Sequence, residues 1–202
     1  MAHVFNDGGL HIDRWQERLD RLTAGVKSPR LMTTPRHSLY LRGKSQPPRP
    51  RNLLDSAWVE WLHAFAPWSI MVTYTFKRLS YRGFRSTKQT ALLNVKRILR
   101  LVNCDLFGKR RTNKGWTIAH AVVVGLGPSG DNLHAHLLVA TICGVPPQRL
   151  CALLERATQR TYLVDRQRAY RAYYSPEGSG YLIDHGTDRM VVSLLAPAYQ
   201  GE

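Results

Sequence analysis

Residues 133–140, with the sequence LHAHLLVA, determine how the middle of this chain folds. Successive side chains of a β-strand point to opposite faces, so His134 and His136 are predicted to project from one face of a strand framed by leucine and valine. Burying two imidazoles in an apolar run is unfavourable unless a partner satisfies their polar atoms. A divalent metal would do so, because imidazole is a common ligand for transition metals. The alternative is two histidines hydrogen-bonded beside a core, so the rest of the sequence must separate these interpretations.

The segments around this strand predict an α+β domain. Further strands are expected at 69–76, 116–124 and 161–164, the second forming an antiparallel hairpin with 133–140 across the turn at 125–132. Helices are expected to begin at Asp55 or Ser56, at Ser86 or Thr87, and at Pro146 or Pro147, with a short one at 181–185. The order β-α-β-β-α-β-α predicts a central antiparallel sheet with helices packed mainly on one face, as in ferredoxin-like or RRM-like domains.

Composition indicates an intracellular protein with a polyanionic partner. The 202 residues include 29 Lys and Arg against 14 Asp and Glu, a formal charge of +15. This excess favours nucleic acid as the partner, with an anionic membrane surface second. No apolar run approaches the ~18–20 residues of a membrane span, so a soluble, cytoplasmic protein is expected. Cys104, Cys143 and Cys151 lack C-x-x-C spacing and are expected to be reduced thiols rather than a zinc site or disulfide framework.

The positive charge is concentrated between residues 77 and 114, where twelve Lys or Arg stand against one acid, Asp105. Such a segment could follow a phosphate backbone, although single positions could equally belong to a solvated surface. The candidate DNA-binding residues are Lys77, Arg78, Arg82, Arg85, Lys88, Lys109, Arg110, Arg111 and Lys114. Aromatic residues in or beside the segment could stack on bases or pack in the core: Tyr74, Phe76, Tyr81, Phe84 and Trp116.

Residues 1–51 are predicted to be a basic N-terminal arm or linker, partly disordered, and residues 52–202 the folded domain. Prolines at 29, 35, 47, 48 and 50 interrupt any periodicity in the arm. One short helix is expected there, around Trp15, Leu19 and Leu22.

Three motifs in sequence order resemble the HUH endonuclease superfamily, which includes rolling-circle replication initiators, relaxases and single-tyrosine transposases. The hydrophobic-Thr strand of that family corresponds to 71–76, MVTYTF, and its His-hydrophobic-His motif to 134–136. Its helix with a nucleophilic tyrosine preceded by small residues corresponds to Tyr181 in GSGYLIDH. The resemblance covers about residues 69–190 and implies an HUH nicking domain. Tyr173 and Tyr174 are the rival nucleophiles.

The resemblance implies a divalent cation, Mn²⁺ or Mg²⁺, with zinc left open because imidazole ligands suit it. It also implies a third ligand beside His134 and His136. His185, four residues after Tyr181 and so on the same helical face, is the first choice, because single-tyrosine transposases place a ligand at that spacing. Asp184 is the second. His120 is the third, if the hairpin register sets it opposite His136.

The chain departs from the family pattern at two points. Replication initiators usually carry Tyr-x-x-Lys at the third motif, where this sequence has Asp184 in the lysine position. Many members also carry an acidic ligand shortly before the H-x-H, where this sequence has Val124, Gly125 and Leu126. The charge compensation or proton handling that the lysine would provide must come from other groups here or be absent, and the third ligand must be another residue.

The function expected from the resemblance is metal-dependent nicking of single-stranded DNA, or of an origin hairpin, through a covalent 5′-phosphotyrosine. This nick would start rolling-circle replication in a bacterium or a phage-infected host. The sequence has no G-x-x-x-x-G-K-[ST] motif, so unwinding is expected to come from a host helicase. The alternatives are a single-tyrosine transposase, or a non-catalytic nucleic-acid-binding protein with a decayed site. No membrane partner is expected.

Overall fold

The computed structural model describes residues 17–18, 20–25, 53–78, 85–126 and 133–172. Four strands form one antiparallel sheet: β1 (Trp68–Phe76), β2 (His120–Leu126), β3 (Leu133–Ala140) and β4 (Val164–Ala172). The helices are α1 (Leu53–Phe65), α2 (Lys88–Phe107), α3 (Lys109–Asn113) and α4 (Pro147–Gln159). The strand order is β2-β3-β1-β4, so β3 lies between the two strands that α2 connects. This split β-α-β arrangement is typical of ferredoxin-like domains and confirms the α+β prediction.

One face of the sheet packs against α2 and α4 and is called the α2/α4 face. Tyr74 of β1 and Leu137 of β3 point into this core and are completely buried. Val95 and Ile98 of α2 meet them there, because apolar residues at helical spacing form one stripe along that helix. Thr87 begins the helix by accepting a hydrogen bond from the Thr90 backbone N–H, in a capping box.

The opposite face of the sheet packs against α1 and is called the α1 face. Leu62 of α1 is buried there against Met71 of β1, Val123 of β2 and Leu138 of β3. The indole N–H of Trp68 donates to the Leu62 carbonyl at 2.6 Å, which joins the end of α1 to the start of β1. The larger helices α2 and α4 thus share one face as predicted, and α1 covers part of the other.

Two strands differ from their predicted bounds. β2 begins at His120, and not at residue 116, because the side chain of Asn103 binds the chain just before it. Its Oδ1 accepts from the Ile118 N–H at 3.0 Å and its amide donates to the Thr117 hydroxyl at 2.8 Å. The strand expected at 161–164 was wrong, since β4 starts at Val164 and runs to Ala172. β4 is an edge strand, and edge strands carry charged residues that weaken the apolar pattern.

The short helix expected near the start of the chain is confirmed, since residues 17–18 and 20–23 are helical. It is fixed to the domain by polar contacts. The Arg18 guanidinium donates to the Cys104 carbonyl at 3.1 Å, and Asp20 forms an ion pair with Arg149. The rest of the predicted arm, together with residue 52, lies outside the described residues. Within the described ranges, none of the helices has the length and apolar character needed to cross a membrane.

Candidate metal centre and nucleic-acid interface

The two motif histidines project from the α1 face of β3. Ala135 and Leu137 belong to the α2/α4 core, whereas Leu138 and Ala140 belong to the core under α1, so the alternation places His134 and His136 on the α1 face. Their ring centroids are 4.7 Å apart, with the rings inclined at 66°. His136 is only 2% exposed, and His134 is partly buried. The same-face prediction made from the H-x-H spacing therefore holds.

A threonine of the neighbouring strand holds the His136 ring. In the β1–β3 register Thr73 lies opposite His136, and Thr75 lies opposite His134. The Thr73 hydroxyl and His136 Nδ1 are hydrogen-bonded at 3.0 Å. If the hydroxyl donates, the neutral ring carries its proton on Nε2. If Nδ1–H donates, Nε2 keeps the lone pair that a metal requires.

The two imidazoles fit a metal ion as a pair of nitrogen ligands. Nitrogens about 2.1 Å from one ion lie roughly 3–3.5 Å apart, which rings with centroids 4.7 Å apart can achieve. Among the residues that the structure describes, no group of three or more His, Cys, Asp or Glu is placed to hold a metal. The predicted nucleophile Tyr181, its rivals Tyr173 and Tyr174, and the predicted ligands His185 and Asp184 lie outside the described residues.

His120 is not a third ligand of this site, contrary to the register that the sequence suggested. It pairs with Val139, whereas Val123 lies opposite His136. His120 therefore shares the face of Val122 and Val124, which is the α2/α4 face. Its Nδ1–H donates to the Ile118 carbonyl at 2.8 Å. Burial lowers the pKa of His120, and the positive charge of Lys96 lowers it further, while the bond to Ile118 opposes both.

The strand β2 contributes no carboxylate beside the histidines. Gly125 lies opposite His134 and Val123 opposite His136. Gly125 falls in the region where many HUH proteins, which the sequence resembles, carry an acidic ligand. The acidic residue that is missing from this part of the sequence is therefore also missing from the strand that pairs with the histidines.

The candidate DNA-binding residues separate into two clusters at opposite ends of the sheet. The proximal cluster consists of Lys77, Arg78, Arg85 and Lys88, which lie beyond the end of β1 that pairs with His134. Ser86 joins its two halves, because its hydroxyl donates to the Lys77 carbonyl at 2.6 Å and its N–H to the Arg78 carbonyl at 2.9 Å. Arg82 lies outside the described residues.

The distal cluster consists of Lys109, Arg110, Arg111 and Lys114, all exposed, in α3 and the turn that follows it. It precedes β2, whose first residue, His120, pairs with Val139. Val139 lies five positions after His134 in β3, which is about 17 Å along the strand. The predicted DNA-binding residues therefore do not form one patch around the histidines.

Of the aromatic residues that could either stack on bases or pack in the core, those that the structure describes pack within the protein. Tyr74 and Phe76 belong to the α2/α4 core, and Tyr74 is fully buried. The Arg111 guanidinium lies 4.8 Å from the Trp116 ring centroid, and the ring of Phe107 packs against Trp116 at 6.0 Å. Trp116 therefore packs against an arginine and a phenylalanine of its own domain. Tyr81 and Phe84 lie outside the described residues.

Sequence reasoning missed the role of Thr73 and the exposure of aromatic residues on α1. Trp58, Trp61 and Phe65 are 37–41% exposed, and Trp58 meets Trp61 edge to face with centroids 5.2 Å apart. In the same helix Val59 and Leu62 are buried, and Leu62 is the one that packs against the sheet.

Comparison of the chain with known protein families, with curated proteins and with solved structures finds no match. The functional proposal therefore depends on the sequence motifs and on the geometry of the site.

Proposed function

We propose that this protein is a metal-dependent single-strand DNA endonuclease and strand-transfer enzyme that nicks an origin, linking itself to DNA through Tyr181, to start rolling-circle replication. The observation that carries the proposal is the H-x-H pair on a central strand of a split β-α-β sheet, with both rings on one face and one ring held by Thr73. If the histidine pair were solely structural, there would be no reason to expect the three motifs in this order or a formal charge of +15.

Each residue has a separate task in this proposal. His134 and His136 bind Mn²⁺ or Mg²⁺, with zinc as the other option that imidazole ligands allow, and His185 or Asp184 completes the ligand set. Thr73 keeps the His136 ring in the orientation and tautomer that metal binding needs. When bound, the cation supplies positive charge to the phosphate oxygens.

The reaction forms one P–O bond and breaks another, so it needs no external energy source. The Tyr181 phenol oxygen attacks the phosphorus, a P–O bond to tyrosine forms, and the P–O3′ bond of the DNA breaks. The released 3′ oxygen takes up a proton, and the phenol loses one. The 5′-phosphotyrosine retains the bond energy, so a 3′-hydroxyl can reverse the step and join strands. The phenol has a pKa near 10, so loss of its proton needs a neighbouring base or cation.

The charge distribution supports a DNA substrate. The proximal cluster lies beyond the end of β1 that carries Thr75, which pairs with His134. Cations at this position can bind phosphates on either side of a cleavage point, and this binding carries no sequence information.

The test is a denaturing gel of the full chain incubated with single-stranded DNA and Mn²⁺ or Mg²⁺. The oligonucleotide is labelled at its 3′ end, because a 5′-phosphotyrosine retains the 3′ fragment. A labelled, protein-sized band is expected for the wild type and for Tyr173→Phe and Tyr174→Phe. It should be absent for Tyr181→Phe and strongly reduced for His134→Ala. An adduct with Tyr181→Phe would refute the nucleophile assignment, and unchanged metal-dependent cleavage by His134→Ala would make the H-x-H structural.

A non-catalytic DNA- or RNA-binding protein is the second candidate. It is favoured by the register of β2, which places Gly125 opposite His134 and Val123 opposite His136. The strand therefore supplies no acidic ligand at either position. Tight DNA binding with no adduct under any metal would support it. Preference for transposon-end hairpins over an origin would instead identify a transposase with the same site.

A further inference from the structure

The exposed face of α2 carries three positive charges near the middle of the helix. Lys96, Arg97 and Arg100 are all exposed and lie within about one turn of the helix, on the side away from the core. Lys88 of the proximal cluster is its first residue, and the distal cluster begins two residues after its end. Along the chain, the three charges therefore lie between the proximal and distal clusters. We call Lys96, Arg97, Arg100 and the distal cluster the α2 track.

The helix that carries the track runs from one end of the sheet toward the other. α2 has 20 residues, which corresponds to about 30 Å. This helix starts beyond the end of β1 that lies near the histidine pair, and it leads back to the start of β2. Because α2 packs on the α2/α4 face, the track lies on the opposite side of the sheet from His134 and His136.

The charges of the track lack acidic neighbours in their own helix. The only acid of α2 is Asp105, in its last turn, whereas solvated helices usually intersperse both signs at i, i+4 spacing. Arginines elsewhere are used within the fold. Arg149 pairs with Asp20, and Arg156 donates to the Leu22 carbonyl at 2.6 Å. Like charges left together on one helix face repel one another, which favours an anionic partner on that face.

The distal end of the track is held in place by packing. Arg111 lies over Trp116, and Asn103 binds the backbone at Ile118 and the hydroxyl of Thr117. Gly108 has φ +83°, a left-handed value that suits glycine, at the junction where α2 gives way to α3. Arg111, whose side chain is held in this way, loses less side-chain entropy on binding than an arginine on a flexible loop.

We propose that the α2 track binds the phosphate backbone of the DNA strand that flanks the cleavage point. The proposal rests on the proposed function for its DNA partner and adds a second contact region on the other side of the sheet. A DNA strand that reaches from the histidine end of the sheet to the distal cluster must cover the length of α2, about 30 Å, which corresponds to roughly nine nucleotides at the 3.4 Å spacing of a duplex strand. An oligonucleotide that occupies only the histidine end is too short to use the track.

The test measures binding of fluorescent oligothymidylates of about 6 and about 25 nucleotides by anisotropy, in EDTA so that no cleavage occurs. The test variant is Arg97→Gln/Arg100→Gln, which leaves Lys96 beside His120 unchanged. The matched control is Arg21→Gln/Arg160→Gln, which removes the same charge from exposed positions outside α2 and α3. Circular dichroism checks that both variants fold.

The test variant should lose about 10-fold in affinity for the long oligonucleotide near 0.15 M salt, and its salt slope should fall by about 1.4, or ~0.7 for each lost phosphate contact. Its affinity for the short oligonucleotide should change less than twofold. The control should bind both lengths like the wild type.

Equal losses for both lengths, equal losses in the control, or no loss at all would overturn the proposal, as would failure of the wild type to bind the long oligonucleotide. Because these measurements need no cleavage, a length-dependent loss in a protein that never forms an adduct would refute the proposed nicking function and leave the track standing.

Discussion

Replacing Thr73 by valine tests how the histidine pair is organised. Valine keeps the branched shape that suits a strand and removes only the hydroxyl that bonds His136 Nδ1 at 3.0 Å. If that hydroxyl fixes the ring with its proton on Nδ1, Thr73→Val should shift the neutral tautomer of His136 toward Nε2–H. Thr73→Ser, which keeps the hydroxyl, should retain the wild-type tautomer.

Two magnitudes follow from the burial of His136. A buried ring nitrogen that loses its partner costs about 1–3 kcal/mol, so the free energy of unfolding should fall by that amount in Thr73→Val. Groups that orient a metal-binding histidine typically change metal affinity 10–100-fold, which corresponds to about 1.4–2.8 kcal/mol. Mn²⁺ affinity should therefore fall in that range for valine and by much less for serine.

The assays are long-range ¹H–¹⁵N correlation spectra for the tautomer, urea unfolding for stability and calorimetry for Mn²⁺. Thr75→Val is the matched control, since Thr75 lies on the same face of β1 opposite His134. It should leave the His136 tautomer unchanged. An unaltered tautomer together with unaltered Mn²⁺ affinity in Thr73→Val would refute the reasoning, whatever happens to stability.

Three further outcomes are expected. The pKa of His120 is lower in the folded protein than in the unfolded chain, so below about pH 6.5 the unfolded chain binds more protons than the folded protein. The free energy of unfolding should therefore fall there by up to ~1.4 kcal/mol for each pH unit. His120→Gln should flatten urea-derived stability between pH 7 and 5, and an unchanged slope would contradict this. Asn103→Ala, which leaves the buried Ile118 N–H without its acceptor, should cost about 1–3 kcal/mol in the same assay, whereas a neutral effect would show that the chain relaxes. Burial raises the pKa of Cys151 to about 12, so its thiol should not react with iodoacetamide in the native protein. Mass spectrometry should show iodoacetamide on exposed Cys143 in the native protein, and on Cys151 only after unfolding. Rapid labelling of Cys151 in the native protein would refute its burial.

The sequence was sufficient for the elements whose residues carry a strong periodic pattern. The stripe from Ala91 to Val102 predicted α2, with a cap at Ser86 or Thr87 of which Thr87 is the one observed. The alternation in LHAHLLVA predicted that His134 and His136 share a face. Both depend on local geometry alone, which the order of residues along one element determines.

Features that depend on how elements meet could not be predicted in the same way. The register between β2 and β3 moved His120 to the other face, and the register between β1 and β3 brought Thr73 to His136. A shift of one residue would reverse both results, and nothing within a single strand fixes it. The distribution of basic residues over two ends of the sheet likewise follows from the direction of α2 relative to β1, and not from their spacing in sequence.

The central claim is that a metal-assisted attack by Tyr181 joins this protein to DNA, and mass spectrometry of the adduct tests it most directly. Trypsin should release residues 172–189 as one peptide, AYYSPEGSGYLIDHGTDR, which contains Tyr173, Tyr174 and Tyr181. After nuclease digestion of the bound strand, fragment ions should place the nucleotide phosphate on Tyr181, only when Mn²⁺ or Mg²⁺ was present, and not in the His134→Ala variant. A phosphate on Tyr173 or Tyr174, an adduct that forms equally in EDTA, or a wild-type protein that binds DNA without any modified peptide would contradict it.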